Sequence, residues 1–204
     1  MPAWQETTSA WVRDGKLLVL GVTQEQHPKR CRLFAQWHRL DWPILYDPIN
    51  VLGLRGVPVE VAVDEHGIVR SVRPDAGRFE EEFLNKTFPP EAAESPARPA
   101  PLSPPDPASL RRRAEESRSA EAWRELGDAL ALWGGVDRVD EAIDAYGRAI
   151  RLDPDDGDAQ FRLGVCYCIR HESKRRLPDD FQAAVDHWST ARAIRPNQYI
   201  WRRR

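Results

Sequence analysis

The stretch AWRELGDALALWGGVDRVDEAIDAYGRAIRLDP, residues 122–154, decides the fold of the second half of this 204-residue chain. Small and aromatic residues recur in it at helical spacing, and a proline ends it: Leu126, Gly127, Ala142, Tyr146, Ala149 and Pro154. Small residues let two helices approach closely, an aromatic ring fills the space between them, and a proline ends a helix. The stretch therefore predicts two helices packed against each other.

A second stretch, residues 159–196, repeats this pattern. Leu163-Gly164 corresponds to Leu126-Gly127, and the other matching positions are Ala184, Trp188, Ala191 and Pro196. Each copy carries extra residues in the turn between its helices, at GGVDR and at HESKRRLPDD. Self-similarity of this kind indicates stacked helical repeats.

The pattern, which also includes Trp123, resembles the tetratricopeptide repeat. The resemblance implies an all-α repeat domain over residues 110–204, with DPASLRRRAEESRSA as a capping helix and NQYIWRRR as the start of another. It also implies a groove that binds a protein or peptide partner, lined by Arg124, Asp128, Ala131, Phe161, Val165 and Cys168. The alternative is that this groove packs against further helices of the chain's own C-terminal part.

The first half alternates helical and strand patterns in the order α-β-α-β-β-β-α. KLLVLGVT is a continuous apolar run, which is expected of a strand buried on both faces. VEVAVDE and IVRSVR flank a turn and predict a hairpin, and GRFEEEFLNKTF predicts a closing amphipathic helix. Residues 1–88 therefore form a separate α/β domain. Residues 89–109 are rich in proline and predict a semi-rigid linker.

LRGVPVEVAVDEHG, residues 54–67, and the preceding DWPILYDP resemble the later part of a thioredoxin-like domain of the TlpA, redoxin and peroxiredoxin type. In that family the proline before this strand is cis and faces the active site. The resemblance thus implies a cis bond between Val57 and Pro58, with both residues at a substrate-binding edge. The alternative is a trans proline that only begins an edge strand.

The family's central strand and its catalytic thiols precede the positions matched here, so the resemblance implies an incomplete thioredoxin-like domain. The chain contains no Cys-x-x-Cys. We expect Met1 to be an internal methionine of a longer protein. Without its central strand, the sheet is expected to be strained, to form a homodimer through the gap, or to close by pairing its remaining strands.

The three cysteines do not form a disulfide framework. Cys31 follows the basic HPKR near a helix start, which favours a thiolate and makes it a candidate redox thiol, with an incidental helix cysteine as the alternative. Cys166 and Cys168 are expected to be structural. The histidines have no metal-ligand spacing, so we expect no metal and no cofactor.

Two functions remain open. One is a redox-family protein with a repeat module that recruits a partner and without catalytic thiols in this chain; the other is a non-catalytic scaffold with a degenerate thioredoxin-like domain. A net charge of −2 predicts no nucleic-acid partner, and no apolar run is long enough for a membrane span. The chain as written is expected in the cytoplasm, or exported if a leader precedes Met1.

Overall fold

The computed structural model describes residues 2–25, 28–89 and 103–203, and the chain divides into two compact units. The first unit comprises Met1–Tyr46 and Val57–Pro101, and the second comprises Asp47–Gly56 and Leu102–Arg204. Most of the predicted linker, from residue 90 to residue 102, lies outside the described residues.

The first unit begins with α1 (Pro2–Arg13), β1 (Gly21–Thr23), α2 (Pro28–Trp37) and β2 (Ile44–Tyr46). β1 and β2 pair in parallel, with Gly21 opposite Ile44. Parallel strands need a connection of about a dozen residues or more, usually a helix, and α2 supplies it.

A hairpin follows, made of β3 (Val61–Val63) and β4 (Val69–Val72). The Asp64 carboxylate accepts hydrogen bonds from the backbone N–H groups of His66 and Ile68, at 2.9 Å each. Arg70 Nε donates to the same carboxylate at 2.6 Å. These bonds hold the turn, so the predicted hairpin is confirmed.

The closing segment of the first unit contains one π-helical turn, Glu80–Leu84, within the predicted amphipathic helix. Its Phe83 stacks on Phe79 with ring centroids 5.1 Å apart, and Phe79 packs edge-on against Trp4 at 5.4 Å. These aromatic rings, with Ala62, form the apolar core of this unit.

The described strands of the first unit form two separate two-stranded sheets rather than one sheet. Only Gly21–Thr23 of the predicted buried strand is extended and paired, and Leu18 and Leu20 are 73% and 52% exposed. The prediction of a strand buried on both faces is therefore wrong. The reason is that β1 has β2 as its one paired neighbour among the described strands. The unit is α/β, but its two sheets do not amount to a complete thioredoxin fold.

The second unit is built mainly from helices, each of which packs against the next in sequence. Asp106 caps the first of them by accepting hydrogen bonds from the N–H groups of Ala108 and Ser109, so the predicted capping helix is confirmed as a helix. The helices are α3 (Pro107–Ser117), α4 (Ala120–Trp133), α5 (Val139–Leu152), α6 (Gly157–His171) and α7 (Asp180–Ile194), and short 3₁₀ segments span Gly135–Arg138 and Tyr199–Arg203.

Glycine–aromatic contacts join the helices of each pair at equivalent places. A Cβ atom at Gly127 of α4 would lie 2.6 Å from the Tyr146 ring of α5. A Cβ atom at Gly164 of α6 would lie 2.6 Å from the Trp188 ring of α7. Each helix pair therefore requires a glycine where its two helices cross, as the sequence pattern predicts.

The long turn of the second pair is held by an arginine. Arg170 donates to the buried Asp180 carboxylate at 2.6 Å and to Asp140 of α5 at 2.8 Å. The Leu177 N–H also donates to Asp180, at 2.8 Å. The inserted residues are thus tied to both α5 and α7.

Candidate peptide-binding groove

The predicted groove residues lie on α4 and α6, the first helices of the two pairs. Positions spaced four and then three residues apart lie on one face of a helix. On this face the predicted groove residues are Arg124, Asp128 and Ala131 of α4, and Phe161, Val165 and Cys168 of α6.

An apolar cluster occupies the α6 side of this face. Phe161 and Val165 are buried in it together with Ile49, Ile200 and Trp201. The rings of Phe161 and Trp201 stack with centroids 5.2 Å apart and an interplanar angle of 12°. We call this cluster, together with Arg162 and Asp128, the groove site.

Arg162 provides the polar half of the groove site. Its Nη1 donates to both carboxylate oxygens of Asp128, at 2.9 and 2.7 Å. Its Nε donates to the backbone carbonyl of Ile49 at 3.1 Å, and its Nη2 donates to that of Asn50 at 3.4 Å. Arg162 is only 7% exposed, and its guanidinium forms its hydrogen bonds to groups inside the protein.

Nearby carboxylates keep the buried Arg162 side chain charged. Burial by itself lowers the pKa of Arg162, but the charge and hydrogen bonds of Asp128 together with the nearby Asp158 outweigh it, and the pKa is raised. Tyr146 Oη donates to Asp128 at 2.8 Å, and burial raises the pKa of Tyr146 well above its usual value. The tyrosine therefore remains a neutral donor that fixes the carboxylate beside Arg162.

Residues 47–56 pack with the helices of the second unit, although the sequence analysis assigns them to the first domain. The segment holds its own shape: Asp47 Oδ1 accepts from the Val51 N–H at 2.9 Å. The Asn50 side chain binds both the N–H and the carbonyl of Leu54, at 3.0 and 2.9 Å. Asn50 has φ +52° and Gly53 has φ +64°, a left-handed conformation that asparagine and glycine adopt readily.

The structure brings most of the predicted groove residues to this site. Phe161 and Val165 contribute to the apolar cluster, Ala131 packs against it, and Asp128 pairs with Arg162. Arg124 instead forms an ion pair with Asp156 at 2.5 Å, at the start of α6. Cys168 is half-buried, with its Sγ 3.7 Å from Glu172 Oε1.

Sequence reasoning missed Arg162 and the residues that contact it from outside α4 and α6. Arg162 is adjacent to the predicted Phe161, and its equivalent in the first repeat is Glu125. An arginine within an apolar helix signals a buried carboxylate partner, here Asp128. Ile49 had no comparable signal, since it is 113 positions from Arg162.

The predicted redox positions lie in the first unit. The Val57–Pro58 bond is cis, as predicted, and both residues are exposed. Cys31 is a half-buried free thiol in α2. Cys166 is buried in the second unit, and burial raises the pKa of its thiol, which opposes thiolate formation.

Metal binding and membrane insertion bear on the class of site. Among the described residues, no three or more histidine, cysteine, aspartate or glutamate side chains are grouped so that they could hold a metal ion. In the same part of the chain, no helix is both long and apolar enough to cross a membrane.

Comparison with known proteins identifies one family in the second unit. The family model described as a TPR repeat matches residues 137–168, which include α5 and most of α6. No curated protein and no solved structure matches the chain. The match supports a tetratricopeptide-repeat module, a protein-interaction module, in the second unit.

Proposed function

We propose that the chain is a non-catalytic adaptor whose second unit binds a protein partner through the groove site. The observation that carries this proposal is the arrangement around Arg162, which donates to two successive backbone carbonyls beside a buried aliphatic side chain. Contacts to carbonyls recognise any peptide, whereas a pocket for one side chain selects among peptides.

The charge arrangement around Arg162 supports a site that accepts peptide backbone. A buried arginine is costly unless a carboxylate and further acceptors satisfy it. Asp128 satisfies one side of Arg162, and the chain's own Ile49 and Asn50 carbonyls satisfy the other. The site therefore requires a polar backbone next to its apolar cluster, which a docked peptide loop supplies. A net charge of −2 does not favour a nucleic acid as the partner.

Peptides selected by the full chain from a random display library test this function. Phe161→Ala is expected to weaken their binding by about tenfold or more, because truncating a central aromatic anchor removes most of its contact. Phe181→Ala is the matched control, since Phe181 is exposed on α7. Affinities measured by fluorescence anisotropy decide the result.

The proposal is contradicted if Phe161→Ala keeps the helical circular dichroism of the wild type and binds the selected peptides equally well. The same holds if Phe181→Ala loses as much affinity as Phe161→Ala, because binding would then lie on α7 rather than at the groove site.

A second candidate concerns the first unit, which we propose is an incomplete thioredoxin-like domain over residues 1–88. A parallel β1–β2 pair and an antiparallel β3–β4 hairpin with an Asp-x-x-Gly turn support it. A homodimer through the incomplete sheet belongs to the same proposal, and sedimentation equilibrium measures it. Val57 and Pro58 would then border a substrate edge, and Cys31 would be the thiol.

A disulfide-reduction assay on the full chain separates scaffold from redox enzyme. We expect no turnover, because a dithiol mechanism needs two neighbouring thiols and the chain contains no Cys-x-x-Cys. Turnover would contradict the scaffold function, and its loss in Cys31→Ser would assign the chemistry to Cys31. Cys168→Ser is the matched control on a second half-buried thiol.

A further inference from the structure

Resting on the function proposed above, we propose that residues 47–56 are an internal ligand of the groove site and that an external partner displaces them with a protein loop of the same chemistry. That loop carries an aliphatic side chain followed by asparagine or glycine in the left-handed conformation. Its two successive carbonyls accept hydrogen bonds from Arg162, as those of Ile49 and Asn50 do.

The segment has the properties of a separable ligand. The Asp47 and Asn50 side chains form bonds to Val51, Leu52 and Leu54, within the segment itself. A peptide that keeps its shape loses less conformational entropy on binding. Residues 47–56 therefore carry their recognition geometry with them.

The segment is buried at its start and exposed in its middle. Ile49 is buried in the groove cluster and Leu54 packs against it, whereas Val51 and Leu52 are 44% and 59% exposed. Arg162 donates two bonds to the segment, and the Tyr199 N–H donates to the Arg55 carbonyl at 3.1 Å. None of these bonds belongs to the backbone hydrogen bonding of α4 to α7, so the helices do not have to unfold for the segment to leave.

The segment also leaves one donor of the site unused. Trp201 is buried in the cluster with Ile49, and its indole Nε1 has no acceptor in the part of the chain that the structure describes. Buried donors without acceptors weaken a complex. A partner loop that adds a carboxylate or amide oxygen here gains a hydrogen bond that residues 47–56 lack, which gives it an advantage over the internal ligand.

Competition between the internal and external ligands sets the apparent affinity. A tethered segment acts at an effective concentration in the millimolar range. Only the fraction of chains with an empty site binds a partner, so the apparent dissociation constant rises as that fraction falls. Releasing the segment must therefore strengthen binding in trans.

The test uses a fluorescent peptide of residues 47–56 and the full chain. Ile49→Asp in the chain disfavours the internal contact because it would bury a charge in the apolar cluster. We expect this variant to bind the peptide about tenfold tighter or more than the wild type does. The peptide with Leu52→Asp should bind like the native peptide, and the peptide with Ile49→Asp should not bind.

Equal affinity for both chains would overturn the proposal, as would a failure of the folded Ile49→Asp chain to bind the peptide. If that variant does not fold, amide hydrogen exchange of the wild-type chain tests the proposal instead. The amides of Val51, Leu52 and Leu54 should exchange about tenfold or more faster than buried α6 amides, through local opening. Exchange only at the α6 rate would make the segment a permanent part of the core and overturn the proposal.

The result is separable from the proposed function. Suppose that the binding of library peptides depends on Phe161 but the peptide of residues 47–56 does not bind. The proposed groove function would then be supported, and the internal-ligand proposal would be rejected. Binding of the peptide to the Ile49→Asp chain would identify the ligand chemistry, whatever the library returns.

Discussion

Arg162→Met is expected to destabilise the second unit by about 2–4 kcal/mol, because it removes the buried cation that pairs with the half-buried Asp128 carboxylate. The substitution also removes the donors to the Ile49 and Asn50 carbonyls. Urea unfolding followed by far-ultraviolet circular dichroism measures the change, since most of the helices lie in this unit.

Arg138→Met is the matched control for this prediction. Arg138 pairs with Glu141 at the surface, and Glu141 keeps Arg111 as a second partner. Exposed pairs contribute about 0–1 kcal/mol, so the control should change little. Equal effects of the two substitutions would contradict the buried network. Arg162→Met combined with Asp128→Leu should regain part of the stability, because no unpaired charge then remains.

Gly127→Ala is expected to destabilise the second unit by about 1–3 kcal/mol, although alanine is the better helix former. The added Cβ would meet three ring atoms of Tyr146 at 2.6–2.8 Å. The ring cannot easily move away, since it is fully buried and its hydroxyl is bonded to Asp128.

Gly147→Ala is the control of opposite sign. Gly147 lies within α5, and the atom nearest to its added Cβ is Arg151 Nη1, at an ordinary 3.7 Å. Without a clash, only helix propensity acts, and the variant should gain about 0.5–1 kcal/mol. Urea midpoints of the two variants on the same side of the wild-type value would contradict the assigned packing.

The helices of the second unit could be predicted because their pattern is local. The small residues and rings that meet between α4 and α5, such as Gly127 and Tyr146, lie within a few turns of each other in sequence. The face that carries Phe161 and Val165 followed from the same spacing. The repeat resemblance was therefore sufficient to find one side of the groove site.

The occupant of the site could not be predicted from local pattern. Ile49 lies in a stretch whose sequence indicates a turn or a short helix, and nothing in its neighbours specifies that it packs beside Arg162, 113 positions later. The same limit applies to the apolar run at Leu18 and Leu20, whose exposure depends on which strands lie beside it. Whether a strand is buried depends on the strands and helices beside it, which the sequence of the strand itself does not specify.

The central claim is that Ile49 occupies the groove site of the repeat unit, and the nuclear magnetic resonance of its methyl groups tests this claim most directly. In the full chain we predict methyl resonances shifted by aromatic ring currents, with nuclear Overhauser contacts to the ring of Phe161 or Trp201. The Ile49→Val variant assigns the signal. Methyl shifts at random-coil values, without contacts to either ring, would contradict the account.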